Sequence, residues 1–197
     1  MNPLAKSLGR IAGDLEQRGQ RFAVVGGLAV SARAEPRLTR DADLVVAAAD
    51  DASVERLIRD LRAGGYQTDL LVEQEATGRI ATVRLTHPLD GGLVVDLLFA
   101  SSGIEDEIVA HAEELQLTAE LALPVASAGH LIATKLLARD DRHRPADADD
   151  LRALAEVADD RDWALAQQAV ALIAERGYSR GRDLETALQE LRSSGAY

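Results

Sequence analysis

The sequence predicts an α+β fold, a small mixed β-sheet flanked by helices and followed by a C-terminal helical lobe. Three features carry that expectation. Apolar or alternating runs between residues 21 and 99 are interleaved with helix-periodic stretches, in the order helix, strand, helix, strand, helix and then three strands. Three strand signals in succession do not suit repeated right-handed βαβ winding, so the sheet must be mixed. From residue 127 onward the pattern is helical to the end.

Each element has a local reason. Leu4, Leu8, Ile11 and Leu15 recur at helical spacing, so residues 4–18 form a helix that ends near Gly19. Residues 21–25 read as a buried strand that breaks at Gly26-Gly27, and a short helix follows to about Arg33, which Pro36 prevents from running far. Residues 41–47 alternate as a strand. Asp51 or Ser53 caps a helix carrying Val54, Leu57, Ile58 and Leu61, stopped at Gly64-Gly65. Strands follow at 67–73, 79–86 and 92–99, with HPLDGG as the turn between the last two. Residues 103–113 read as a helix and 121–125 as a short strand. Ser127 caps the helix GHLIATKLLA, and further helices occupy 147–158, 161–176 and 183–192. A domain boundary is expected near residues 114–126, giving units 1–120 and 121–197.

Composition narrows the function. The 197 residues contain no cysteine, which removes disulfides, thiolate nucleophiles and thiolate metal sites. No apolar run is long enough to span a bilayer, so no membrane partner is expected, and a cytoplasmic protein is the default. The net charge of −11 argues against non-specific nucleic-acid binding. Residues 1–45 nevertheless carry seven basic and five acidic side chains, and the basic ones gather in sequence near an acidic pair. A locally positive cleft on an acidic body suits a specific anionic substrate.

That pair, Asp41 and Asp43, is the most informative feature. In a strand the two carboxylates share one face about 7 Å apart, where they can converge on a hard cation such as Mg²⁺ together with substrate phosphates. Asp96 lies in the apolar run LVVDLLF and is costly to bury alone. It is either a third carboxylate on a neighbouring strand or the partner of a core arginine such as Arg84 across the hairpin. Gly26 and Gly27 let phosphates approach the backbone at a helix N-terminus, and Ser31 lies one turn on. Arg37 and Arg40 are guanidinium forks suited to phosphate, or solvated loop residues. Thr39 shares a face with the acids, so a phosphate on its hydroxyl would place nearly two negative charges beside them. Only two lysines accompany twenty arginines, and one of them, Lys135, sits near the apolar edge of a helix. It is either a snorkelling lysine or an ammonium for a β- or γ-phosphate. Asp147 and Asp150 follow at i, i+3 on the next helix. The four histidines lack metal-binding spacing, and no GxSxG elbow is present.

Together the glycine turn, TRDADL, the VVDLL strand and the block LPVASAGHLIATKLLARDDRHRPADADDL resemble the nucleotidyltransferase superfamily, and more narrowly the AbiEii/MenT-type toxins of toxin–antitoxin systems. The resemblance covers roughly residues 20 to 155. It implies a minimal nucleotidyltransferase fold, with residues 1–120 as the catalytic domain and 121–197 as a mainly helical lobe completing the cleft. It further implies transfer of a nucleoside monophosphate, CMP above all, from an NTP to the 3′ end of tRNA, with a cognate antitoxin as partner. Asp41, Asp43 and Asp96 would be the metal site for Mg²⁺ or Mn²⁺. Lys135 would contact the nucleotide, with Asp147 or Asp150 as the distal acid. Gly26, Gly27, Ser31, Arg37, Thr39 and Arg40 would surround the nucleotide, and Thr39 would be the site of inhibitory phosphorylation. The superfamily's usual GS is GG here, so its serine contact is missing or supplied by Ser31. Two alternatives stand beside this reading: a nucleotidyltransferase acting on an aminoglycoside-like molecule or a protein, and a non-catalytic nucleotide-binding homologue.

Overall fold

A computed structural model of the chain describes residues 3–34, 41–75, 77–139 and 146–194. In chain order the elements are α1 (Pro3–Gln17), β1 (Phe22–Val25), α2 (Gly26–Arg33), β2 (Asp41–Val46), α3 (Asp51–Ala63), β3 (Gln67–Glu73), β4 (Ile80–Thr86), β5 (Val94–Leu98), α4 (Glu105–Ala110), β6 (Glu113–Thr118), β7 (Leu121–Val125), α5 (Ala128–Ala138), α6 (Ala146–Val157), α7 (Asp160–Glu175) and α8 (Leu184–Ser194). The seven strands form one mixed sheet in the order β3-β4-β5-β2-β1-β7-β6. Strand β2 is antiparallel to β1 and parallel to β5, while β4 runs antiparallel to both β5 and β3. The expected α+β fold with a mixed sheet and late helices is the observed one.

The register sorts the side chains into two faces, because residues directly opposite each other in a sheet lie on the same face. One row joins Leu44, Leu97, Val83 and Leu71. The first three of these are fully buried, so this is the core face. The alternate row joins Val25, Asp43, Asp96, Arg84 and Leu70 across five strands. The chemistry-bearing side chains therefore lie along one line of the opposite face.

Two local expectations are corrected. The helix expected over 103–113 ends at Ala110, and residues 113–118 form β6, which pairs antiparallel with β7. The alternation of Glu114 and Gln116 with Leu115 and Leu117 is a strand signal that the acidic, helix-prone composition concealed. Helix α3 is capped by Asp50 rather than Asp51 or Ser53, and its carboxylate accepts from the backbone N–H of Ser53. Strand β7 in turn joins β1 in parallel at Val24 and Val125.

The late helices pack through small residues. A Cβ at Gly129 would lie 2.2 Å from the carbonyl oxygen of Asp162 and 2.9 Å from the Leu165 Cβ, so glycine is what lets α5 approach α7. The Gly129 N–H donates to the Asp162 carboxylate at 3.1 Å. Beside it His130 is buried, its Nδ1 2.8 Å from the hydroxyl of Ser127, which caps α5. Burial, then the nearby His111 ring, hold the His130 imidazole down at about 4, against a smaller opposing pull from Glu107.

The unfolded His130 takes up a proton near 6.5 and the folded one resists until about 4. Its contribution to stability is thus intact above pH 6.5 and is lost as pH falls toward 4, roughly 3 kcal/mol in all. Urea unfolding at pH 7 and pH 5 checks this. The wild-type protein should lose about 2 kcal/mol more over that interval than His130→Gln, and equal losses would show that His130 is not the group responsible.

Candidate active site

Strand β2 opens with Asp41, which is exposed, and continues to Asp43, which is half-buried. Asp43 stands directly opposite Asp96 of β5 in the parallel register, and Asp41 opposite Val94. Adjacent strands are about 4.8 Å apart, so the two paired acids are near neighbours on one face. Like charges directly opposite each other in a sheet destabilise it, and two neighbours make the arrangement tolerable.

The first is Gly26. Its φ of +64° is a conformation that glycine adopts without penalty. A Cβ there would lie 1.9 Å from Oδ2 of Asp43 and 2.7 Å from its Cγ. The carboxylate therefore rests directly over the glycine backbone at the start of α2. The residue at that helix terminus, Val25, is apolar and makes no side-chain capping bond, so the first N–H groups of α2 have no partner from the cap residue itself. The second neighbour is Arg84 of β4. Its Nε donates to Oδ1 of Asp96 at 2.8 Å and its Nη2 to Oδ2 at 2.7 Å. The hydrogen bonds to Asp96, then its charge, raise the guanidinium pKa, and the charges of Asp41 and Asp43 add to the effect.

Asp96 is thus the partner of Arg84, the second of its two readings, while its strand position sets it opposite Asp43. As they stand, no three acidic or histidine side chains among the described residues converge closely enough to hold a metal ion. Asp96 has both oxygens turned toward β4, and β2 lies on the other side of β5. The donor set nevertheless suits a hard divalent cation, which commonly takes one or two carboxylates and completes its shell with phosphate oxygens and water.

A second cluster lies in the helical part. The Lys135 ammonium is 2.7 Å from Oδ1 of Asp147 and 2.7 Å from Oδ2 of Asp150; both carboxylates are buried and the lysine is half-buried. The two candidate distal acids thus act on the same lysine, and the other Asp147 oxygen, Oδ2, has no hydrogen-bond partner among the described residues. Helix α2 connects the two clusters, since it begins at Gly26 and packs against both α5 and α6. Ser31 turns its hydroxyl back to the Gly27 carbonyl one turn earlier, at 3.0 Å.

Four of the seven basic residues of the N-terminal segment are engaged elsewhere. Arg10 pairs with Asp90, Arg18 with Asp14 and Arg21 with Asp106. Arg33 donates to the carbonyls of Val125 and Ala126 and pairs with Glu113, tying α2 to the β6–β7 hairpin. Arg37, Thr39 and Arg40 lie outside the described residues. Among the described residues a basic side chain beside the acids is Arg84, legible in the sequence only as a cross-hairpin partner for Asp96.

A mixed sheet with a glycine turn feeding a helix and acids on two adjacent strands is the arrangement of a nucleotidyltransferase. The profile described as "Nucleotidyl transferase AbiEii toxin, Type IV TA system" matches residues 12–195. The chain therefore belongs to the AbiEii nucleotidyltransferase toxin family, whose members are paired with a cognate antitoxin. No curated protein matches it. Among solved structures, an antigenic nucleotidyltransferase-like protein from Paracoccidioides brasiliensis is 19% identical with a TM-score of 0.52, over 95% of this chain and 93% of that one. The lincosamide antibiotic adenylyltransferase LnuA, bound to lincomycin, is 15% identical with a TM-score of 0.51, over 78% of this chain and 97% of that one. The MenT4 nucleotidyltransferase toxin from Mycobacterium tuberculosis is 20% identical with a TM-score of 0.40, over 92% and 91% of the two chains. The protein is a nucleotidyltransferase enzyme of the toxin class. Among the described residues no helix is long and apolar enough to cross a membrane.

Two substitutions test the geometry. Gly26→Ala should displace the Asp43 carboxylate and lower nucleotidyl transfer by about a hundredfold, while strain at the positive φ costs only about 1 kcal/mol in urea unfolding. Activity within a few-fold of wild type would show that the carboxylate's seat on the glycine is not needed. Lys135→Met leaves two buried carboxylates without their cation and should destabilise the protein by about 3–5 kcal/mol. A loss below about 1 kcal/mol in the same unfolding assay would mean that the cluster is solvated.

Proposed function

We propose that the enzyme transfers a nucleoside monophosphate, with CMP favoured, from an NTP to the 3′ end of tRNA in a Mg²⁺-dependent reaction that blocks translation. The observation that carries this reading is the row of Asp43 and Asp96 on adjacent parallel strands, beside Asp41 and over the glycine turn. Asp41 and Asp43, joined by Asp96, would hold the divalent cation, Mg²⁺ or Mn²⁺, which would supply charge neutralisation at the phosphates. The backbone N–H groups opening α2 would take phosphate oxygens. Arg37 and Arg40, just before Asp41 in sequence, would add guanidinium contacts to the same phosphates. Asp96 would accept the proton of the attacking 3′-hydroxyl. The bond formed joins that oxygen to the α-phosphorus, and the bond broken releases pyrophosphate.

In this reading Lys135, held by Asp147 and Asp150, fixes α5 and α6 against α2. The helical segment closes the nucleotide cleft from that side. Phosphorylation of Thr39, two residues before Asp41, would place repelling charge at the cation site and is the proposed off-switch.

A specific observation keeps a second acceptor class in view. Three carboxylates and only one guanidinium stand together on the described face, a field that attracts a cationic small molecule more readily than a polyanion. The fold likeness to a lincosamide adenylyltransferase is in keeping with that alternative.

The test is incubation of the protein with each labelled NTP, Mg²⁺ and total tRNA, with an aminoglycoside or lincosamide in parallel. Label should enter RNA, most strongly from CTP, and Asp41→Ala or Asp43→Ala should reduce incorporation by at least about a thousandfold. Label on the drug alone would move the acceptor to the second class. Incorporation that is indifferent to both substitutions would sink the site.

A further inference from the structure

The Arg84–Asp96 pair is more than a fold staple, because the guanidinium stands in the same row as the acids. Both Asp96 oxygens accept from Arg84, and the carboxylate is turned toward β4 and away from β2. Asp96 is 13% exposed and Arg84 40% exposed, so the arginine has an open path to solvent while the acid does not. The charges of Asp41 and Asp43 also reach this guanidinium. No three-ligand cluster is closed among the described residues while the fork is in place.

From these observations we infer that Arg84 is a positioning residue that stands in for a cation. It offsets one charge of the carboxylate row in the metal-free protein, holds Asp96 back from Asp41 and Asp43, and gives way as a divalent ion enters. The inference rests on the transferase reading above. Its physical content is a competition between one positive charge supplied by β4 and two positive charges supplied by the incoming ion for the same carboxylates. A guanidinium on β4, whose charge is felt by Asp41 and Asp43 across β5, opposes the ion's arrival, and that repulsion is relieved once the ion draws Asp96 across and the arginine swings outward. A residue serving only to brace the β4–β5 hairpin would have no effect on ion affinity beyond that of unfolding.

The experiment is Mn²⁺ binding to the purified protein, read from the electron paramagnetic resonance signal of free Mn²⁺, without nucleotide. Arg84→Met should bind Mn²⁺ about tenfold more tightly than wild type, the effect of deleting one charge near a divalent ion in a water-like dielectric. Arg84→Lys keeps the charge and loses the fork, so it should stay within about threefold of wild type. Equal or weaker binding by a folded Arg84→Met, with unchanged circular dichroism, would overturn the inference. Should Arg84→Met fail to fold, the wild-type protein decides. The Arg84 Nε–H resonance, assigned by its disappearance in Arg84→Lys, should move on saturation with Mg²⁺, and a resonance that stays in place would overturn the competition. Asp41→Asn separates the two levels. If it leaves Mn²⁺ binding intact, the metal site itself falls and the Arg84 role falls with it. If it abolishes binding while Arg84→Met does not alter it, only the role of Arg84 is lost.

Discussion

The parallel pairing of β2 with β5 sets Asp43 opposite Asp96, and this juxtaposition of like charges is the constraint around which the rest is arranged. Left alone, it would push the two strands apart. The chain answers with a residue on either side of the row. Gly26, at the end of β1, makes room for the Asp43 carboxylate, and Arg84, on β4, takes both oxygens of Asp96. None of this improves a hydrophobic core. The fully buried Leu44, Leu97, Val83 and Leu85 on the opposite face hold the same strands together without help from the acids. A row of charges retained on a sheet that does not need it for folding is the signature of a site.

Four of the basic residues of the N-terminal segment are committed to the fold. Arg10, Arg18, Arg21 and Arg33 are each tied into the fold by carboxylates or carbonyls, so their nearness to the acids in sequence does not become a positive cleft. Arg33 shows the reason most directly. It lies on α2, next to the acids in the chain, yet its guanidinium reaches the carbonyls of Val125 and Ala126 and the carboxylate of Glu113, on strands more than ninety or about eighty residues away. Lys135 follows the same pattern. A rare lysine in an arginine-rich chain is a fair sign of a special environment, and that environment proves to be two buried carboxylates on the following helix.

Much of the fold was legible because its signals are local. Helical spacing located α1, α3, α5, α7 and α8, alternation located β2 and β4, and the glycine pair marked the turn into α2. Strand β6 escaped, since it is short and opens on two glutamates, and its edge is completed only through pairing with β7. At the site, the identity of the acids and the glycine could be read from residue type and spacing. The partnership of Asp96 could not be resolved into metal ligand or ion pair, because two different neighbours on two different strands compete for it.

The sequence by itself determined the mixed α+β class, the Asp41/Asp43 strand face, the glycine turn ahead of it and a third acid in an apolar strand. Each of these depends on contacts within a few residues, where backbone period and the absence of a side chain suffice. Only the tertiary structure decided that Asp43 and Asp96 stand opposite each other, that Arg84 holds the second of them, and that Lys135 meets both Asp147 and Asp150. Those outcomes depend on strand order, register and helix packing. Such long-range choices are set by burial of the whole apolar surface rather than by any one segment.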